Sequence, residues 1–496
     1  MAPKNRRSSK RKTQRAGLSG NPQRRAEQLE RDRLARSTHQ ERPALSSPSG
    51  IDPGSLRNLA HLLAGGAEEA PWWRDSHERV LQKARALDWP SLLLDIEDRA
   101  CELVGGQFYD NLQAHDGGHH QAQWLRALAE HAGAALRTAI ADGGDWQPLW
   151  TLLYGMALTT PEPAAEDEDE DEQETALREE FPDIKDPYTA AVAELEKAAA
   201  LLSSSERLVV TPLKLPISGA RSAGVPLVAR DAYGSRFLVA APFAYETNAP
   251  GHWYAWDVDA CWVVSVVGAG TFGSADEALA EWRGAVGAAA VGSGLSPGDP
   301  GLVAGLLGPC LQTGMFADML TGDEPRKLIR ELYRMRRRAR VLAGTDGTQS
   351  DGDTGQDNVG DVDQFGRPTG APKAFRAWYR ARHPDAPKGV AATAEIIVGE
   401  WGPGRPLDER SFYACSPFRV AMTAHLIGTG YEPAYTSRAI RLLPEWTRWC
   451  AQQSGIPGDL AAPSIAVARG AAEALDKQDA EELPTPADTT SFRHQE

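Results

Sequence analysis

The stretch RFLVAAPFAYETNAPGHWYAWDVDACWVVSVVGAGTFGSADEALAEW, residues 236–282, carries the change of period that decides the fold. Three runs inside it, RFLVAAPFAYE (236–246), HWYAWDVDA (252–260) and CWVVSVVG (261–268), are rich in aromatic and β-branched residues and bounded by Gly, Pro and Asn. Such side chains pack well on a pleated surface, so the runs predict antiparallel strands. Ser274 follows, with Glu277 three residues later and ALAEW behind it. In that arrangement the Ser hydroxyl takes a backbone N–H of the first turn while the Glu carboxylate reaches back, which opens a helix at about 275–286. Residues 206–290 therefore read as strands closed by a helix.

On either side the spacing turns helical. Leu125, Leu128, Ala132, Leu136 and Ile140 recur on one helix face, as do Leu56, Leu59, Ala60 and Leu63. Gly-Gly pairs at 65–66, 105–106, 117–118 and 143–144 are expected to punctuate these helices. Downstream, Pro444 is placed to start the helix EWTRWCAQQ and Gly455 to end it. The expected fold class is α+β, predominantly helical and multi-domain, with a central antiparallel strand-plus-helix module. Its parts are a disordered basic arm at 1–50, a helical domain at 51–160 and an acidic linker at 161–185. An α+β module at 186–343 ends in a basic amphipathic helix. A Gly/Asp-rich linker at 344–372, a helical domain at 373–475 and a disordered tail at 476–496 complete the chain.

Charge is sorted along this framework. The net charge is −15, yet residues 1–36 hold 12 Lys/Arg against 3 Asp/Glu, and EDEDEDEQE at 166–174 is acidic at eight of nine positions. A second basic element, EPRKLIRELYRMRRRAR at 324–340, carries 8 Lys/Arg against 2 Glu. Leu328, Leu332, Met335, Ala339 and Leu342 form an apolar seam along it, and Arg330, Arg334 and Arg337 are expected opposite that seam, facing outward. Dense positive charge on a flexible arm or a helix face binds phosphates by releasing counterions. The expected nucleic-acid contacts are Arg6, Arg7, Lys10, Arg11 and Lys12 on the arm, and Arg330, Arg334 and Arg337 on the helix.

Candidate chemistry is sparse. Gly268, Gly270 and Gly273 in VVSVVGAGTFGSADEAL resemble the dinucleotide-binding fingerprint of Rossmann-fold dehydrogenases. That resemblance implies a pyrophosphate held by backbone amides at a helix N-terminus. Here Asp276 and Glu277 would stand beside any phosphate, and no acidic ribose ligand follows on a second strand. The aromatic-Cys helix and Gly-Ile turn within 438–475 are similar to the helical core-binding region of tyrosine recombinases, without an Arg-His-Arg-Tyr pattern after them. His115, Asp116, His119, His120 and His131 have the residue types of a metal site. The Gly117-Gly118 pair interrupts them, and His120 and His131 on one helix would stand roughly 16 Å apart. The acidic loop at 351–363 matches no calcium-loop register: from Asp351 the fifth position is Gly355 and the twelfth Val362. No metal and no cofactor is expected.

Five widely spaced cysteines without a CxxC point to a reducing cytoplasm, and no 18-residue apolar run calls for a membrane. The Ala/Arg/Gly-rich usage has the style of a high-GC bacterium. The leading expectation is a non-enzymatic nucleic-acid-associated or regulatory protein, with DNA or RNA as partner. One alternative is an interaction scaffold whose basic segments meet an acidic protein. Another is an enzyme that holds a nucleotide at the Gly268–Gly273 turn.

Overall fold

The computed structural model describes residues 71–114, 121–159, 187–209, 217, 219–245, 251–261, 264–311, 325–344, 367–401, 407 and 409–482. The chain is α+β and mostly helical, with one small antiparallel sheet of six strands. Five helices come first: α1 (Pro71–Ala86), α2 (Leu93–Ala114), α3 (Gln121–Ala141), α4 (Gln147–Leu158) and α5 (Pro187–Ala199), followed by the short α6 (Ser204–Val209). Of the predicted stripe, Leu125, Leu128, Ala132 and Leu136 lie fully buried on α3, where it meets α5, and Ile140 is half-buried. The helix α4, QPLWTLLYGMAL, is buried from Leu149 to Leu158 because α1, α2, α3 and α5 all pack around it.

Of the glycine pairs, 65–66 and 117–118 lie outside the described residues, and the other two divide. Gly143, with φ of 66°, turns the chain after α3 as expected. Gly105 and Gly106 instead lie inside α2. A Cβ on Gly105 would stand 2.6 Å from the Cα of Arg330, so this glycine lets two helix backbones cross at contact rather than ending a helix.

The sheet holds β1 (Arg221–Ser222), β2 (Leu227–Arg230), β3 (Arg236–Ala244), β4 (His252–Asp259), β5 (Ser265–Phe272) and β6 (Ser296–Pro297). Its order is β5-β4-β3-β2-β6, with β1 also on β3. Arg236 pairs with Asp259 and Phe243 with His252 across the central strands. Both faces are covered, which explains the nearly unbroken apolar run of β3. Phe237, Val239, Phe243, Tyr254, Trp256 and Val258 join one large core with α1–α5. Leu238, Ala240 and Ala255 face α7 (Ala275–Val286) through Ala278, Leu279 and Trp282. The Trp282 indole N–H donates to Asp257 at 3.0 Å, and the Ser274 hydroxyl accepts from the N–H of Glu277 as the capping box requires.

After α7 come α8 (Pro300–Leu311) and α9 (Pro325–Gly344). α9 packs on α2, α8, β1 and β5, and its seam residues Leu328, Leu332, Met335 and Ala339 enter the same core as Trp73 and Trp150. The helices on both sides of the acidic segment 161–185 therefore share one hydrophobic core. The acidic run, the basic arm, the stripe at 56–63, most of the 344–372 segment and residues 483–496 lie outside the described residues, whereas residues 476–482, expected in a disordered tail, continue the last helix to Glu482.

The last helices are α10 (Ala371–Arg382), α11 (Val390–Glu400), α12 (Glu409–Phe412), α13 (Pro417–Gly430), α14 (Pro433–Ser454) and α15 (Gly458–Glu482). They enclose a second core around Phe375, Trp401, Leu443, Trp446 and Trp449. Pro433 occupies the first turn of α14, and Pro444 lies inside that helix rather than starting one. Leu443, Trp446 and Trp449 are buried around it, so packing carries the helix through the lost N–H. Gly455 ends α14 in the left-handed conformation, as its position predicts. No helix among the described residues is long and apolar enough to cross a membrane.

Candidate binding cleft

The arginine helix is where sequence expectation and structure part. Arg334 and Arg337 are each 3 % exposed and Arg338 is fully buried, so the expected outward stripe is turned inward. The cause is coverage: α9 is held between α2 and the sheet, and acids from its neighbours and from its own length meet its guanidiniums. Arg334 forks onto Glu331 and also pairs with Asp98 of α2. The guanidinium of Arg337 occupies the space that a Cβ on Gly219 would need. Arg330 is half-buried. Arg6, Arg7, Lys10, Arg11 and Lys12 lie outside the described residues.

Arg338 anchors the inner part of this cluster. Its Nη2 donates to Glu97 at 2.7 Å and to the Tyr245 hydroxyl at 3.2 Å, and it stands 3.4 Å from His252 Nε2. The Tyr245 hydroxyl in turn donates to Glu97. Burial opposes the charge on Arg338, but Glu97 and Tyr245 outweigh it and hold its pKa above the ordinary value. Burial pushes His252 down to about 4, and Arg338 adds to the push. Nearer the surface, burial drives Glu331 up to about 7 against the pull of its Tyr254 hydrogen bond at 3.1 Å, and drives Arg334 down to about 10.

Beside Glu331 and Arg334 a cleft of about 920 Å³ opens between the N-terminal parts of α2 and α9, with the Ala269–Phe272 end of β5 along one side. The α2 wall presents Asp95, Asp98, Arg99 and Glu102; the α9 wall presents Lys327, Arg330, Glu331 and Arg334. Most of these charges are spent on each other. Arg99 meets Glu102 at 3.0 Å and Lys327 meets Glu281 at 3.7 Å. Asp88 and Asp95 are exposed at the rim, and neither they nor Arg330 form an ion pair among the described residues. Arg330 Nε and Thr271 Oγ1 are both buried atoms without a hydrogen-bond partner among the described residues.

The glycine turn is also rearranged. β5 runs to Phe272, so Gly268 and Gly270 lie within a strand, opposite Asp257 and Ala255, and not in a loop before a helix. At the start of α7 the Glu277 carboxylate accepts the N–H of Gly273 at 2.9 Å, so an acid of the chain itself stands where a phosphate would go. Gly270 does border the cleft; Gly268 and Gly273 do not line it. The histidine cluster at 115–120 lies outside the described residues; His131 approaches Glu78 at 3.7 Å.

Sequence reasoning passed over Glu97, Asp98, Tyr245 and His252. A signal existed. Glu97 falls in the stripe Leu93, Ile96, Ala100 and Val104 of α2, and Glu331 and Arg338 interrupt the seam of α9 seven residues apart. An acid and a base on facing apolar stripes are the mark of a buried pair. Comparison with protein-family models, with curated proteins and with solved structures gives no match to this chain.

Proposed function

We propose that this chain acts by binding, as an interaction or regulatory protein that receives a partner in the cleft between α2, α9 and β5. The observation that carries the reading is the combination of an open cleft of about 920 Å³ with Asp88, Asp95 and Arg330, three charges that form no ion pair among the described residues, at the edge of a sheet. Other groups that do chemistry elsewhere are tied up here. Burial raises the thiols of Cys101, Cys310 and Cys450, which favours the inert protonated form. All five cysteines are unpaired and buried, which supports a reducing, cytoplasmic setting.

The test compares partners recovered with the wild-type chain and with Asp88→Lys/Asp95→Lys, both checked for equal thermal unfolding. The reading expects specific partners to be lost from the variant. An identical set of partners overturns the cleft as the recognition site.

A second reading has its own support in the 12 Lys/Arg of residues 1–36: nucleic-acid contact through the arm alone, with Arg334 and Arg337 taking no part. Binding of labelled DNA and RNA across a salt series, with and without residues 1–50, tests it. Binding that weakens steeply with salt and falls on truncation is the expected result; no binding at about 50 mM salt removes it.

A further inference from the structure

We infer that the ligand of the cleft is an extended peptide segment that adds to the free edge of β5, with basic side chains directed to Asp88 and Asp95 and a carboxylate directed to Arg330. The inference rests on the binding reading above and names its ligand class. Three independent observations meet in one place.

The first is an unpaired strand edge. β5 pairs only with β4 among the described residues, and it closes the sheet order on that side. An edge strand offers a row of backbone donors and acceptors to another extended chain. Edges are commonly blunted by a charge, a proline or a cover; Ala269, Gly270, Thr271 and Phe272 supply neither charge nor proline, and they border the cleft half-buried. Gly270 leaves this edge bare without being forced to: its φ is not positive, and a Cβ there would make only ordinary contact, 3.7 Å from the Phe272 ring.

The second is size. A cleft of about 920 Å³ lies at the upper end of the range for ligand sites and exceeds what a single amino acid fills. A strand of about five or six residues is the common length that a sheet edge receives.

The third is charge. After the internal pairs are counted, two carboxylates and one guanidinium are left without an ion pair among the described residues, the guanidinium feeling Glu331 beside it. A purely anionic ligand would face Asp88 and Asp95 at the rim, and a purely cationic one would leave Arg330 unmet. A peptide with alternating basic and apolar residues and an acidic or free carboxyl end satisfies all three. Its apolar side chains have Tyr109 and Phe272 at hand, both half-buried in the cleft wall.

The experiment is fluorescence anisotropy with an array of labelled hexapeptides in which alternate positions are Lys or Arg, at about 50 mM salt. Each peptide is made with a free and an amidated carboxyl end, and again with alternate backbone nitrogens methylated. Methylation removes the donors that pair with a strand edge and leaves the side-chain charges in place. The expected result is binding that falls about tenfold or more on methylation, on Asp88→Lys/Asp95→Lys and on Arg330→Gln. Hydrogen exchange should slow at residues 265–272 in the complex. Equal affinity of the methylated peptides overturns strand addition, and affinity unchanged in the rim variant overturns the location. No binding by any peptide, while partner recovery still depends on Asp88 and Asp95, rejects the peptide class and leaves the binding reading standing. Loss of both rejects both.

Discussion

Two buried arginines show how differently the two halves of the described chain are held. Arg338, in the first core, faces a carboxylate, a phenol and an imidazole, and its Nε and Nη1 have no hydrogen-bond partner among the described residues. Arg419, 5 % exposed beside the second core, gives its hydrogen bonds to backbone carbonyls: Nε donates to Cys261 at 2.7 Å, and Nη1 to Ser411 at 2.7 Å and Ala414 at 3.1 Å, with the Asp259 carboxylate in its field. One cation is balanced by a charge that would be stranded without it. The other is a cross-brace that ties the end of β4 to the start of α13. The first core is thus packing wrapped around an ionic centre, whereas the second is aromatic packing, with Trp446 and Trp449 at 4.9 Å and Phe375 and Trp446 at 5.1 Å.

The largest test of that difference is Arg338→Met. It leaves Glu97 buried and uncompensated, and should cost about 3–5 kcal/mol in urea unfolding. Adding Glu97→Gln should restore part of the loss. A cost below about 1 kcal/mol would erase the contrast between the cores.

Acid should separate the cores next. His77, whose Nε2 lies 3.0 Å from the Trp124 carbonyl, is also pushed down to about 4 by burial. His77 and His252 stay neutral in the folded chain, while their unfolded counterparts take protons below about 6.5. Their contribution is therefore present above about pH 6.5 and is lost as pH falls through about 4, on the order of 3 kcal/mol each. The histidines described near the second core, His383 and His425, are exposed. Hydrogen exchange from pH 6.5 to 4 should loosen α1–α5 before α13–α15, and His77→Gln should flatten the slope. Simultaneous loosening would break the comparison.

Arg419→Met should cost less than Arg338→Met, about 1–3 kcal/mol, because it strands carbonyls, while Asp259 keeps Arg236 as its partner. It should also speed exchange at Ala260 and Cys261. Smallest is Ser274→Ala, about 1 kcal/mol from the lost cap of α7, with no effect on either core. Thermal unfolding of the single variants orders these last two.

The strands were legible because β3 and β4 combine branched and aromatic residues with clear turns, and the cap at Ser274 because its geometry is local. The third strand was placed at 261–268 instead of 265–272, since glycines at 268 and 270 look like a turn when the pairing partner is unknown. Arg334 and Arg337 were placed on the surface because a wheel shows one helix and none of its neighbours. With α2 packed on α9, the same residues become interior. The cleft is assembled from segments near 88–102, 269–272 and 327–334, and such a separation leaves no mark in any single stretch.

The brace at Arg419 has a temporal side. Its acceptor at Cys261 precedes it by 158 residues. At a synthesis rate of about 5–20 residues per second, the end of β4 leaves the ribosome roughly 8–30 s before its donor does. During that interval the sheet stands without the strut that fixes its far end, and a chain stalled before residue 419 would keep those carbonyls turned to water.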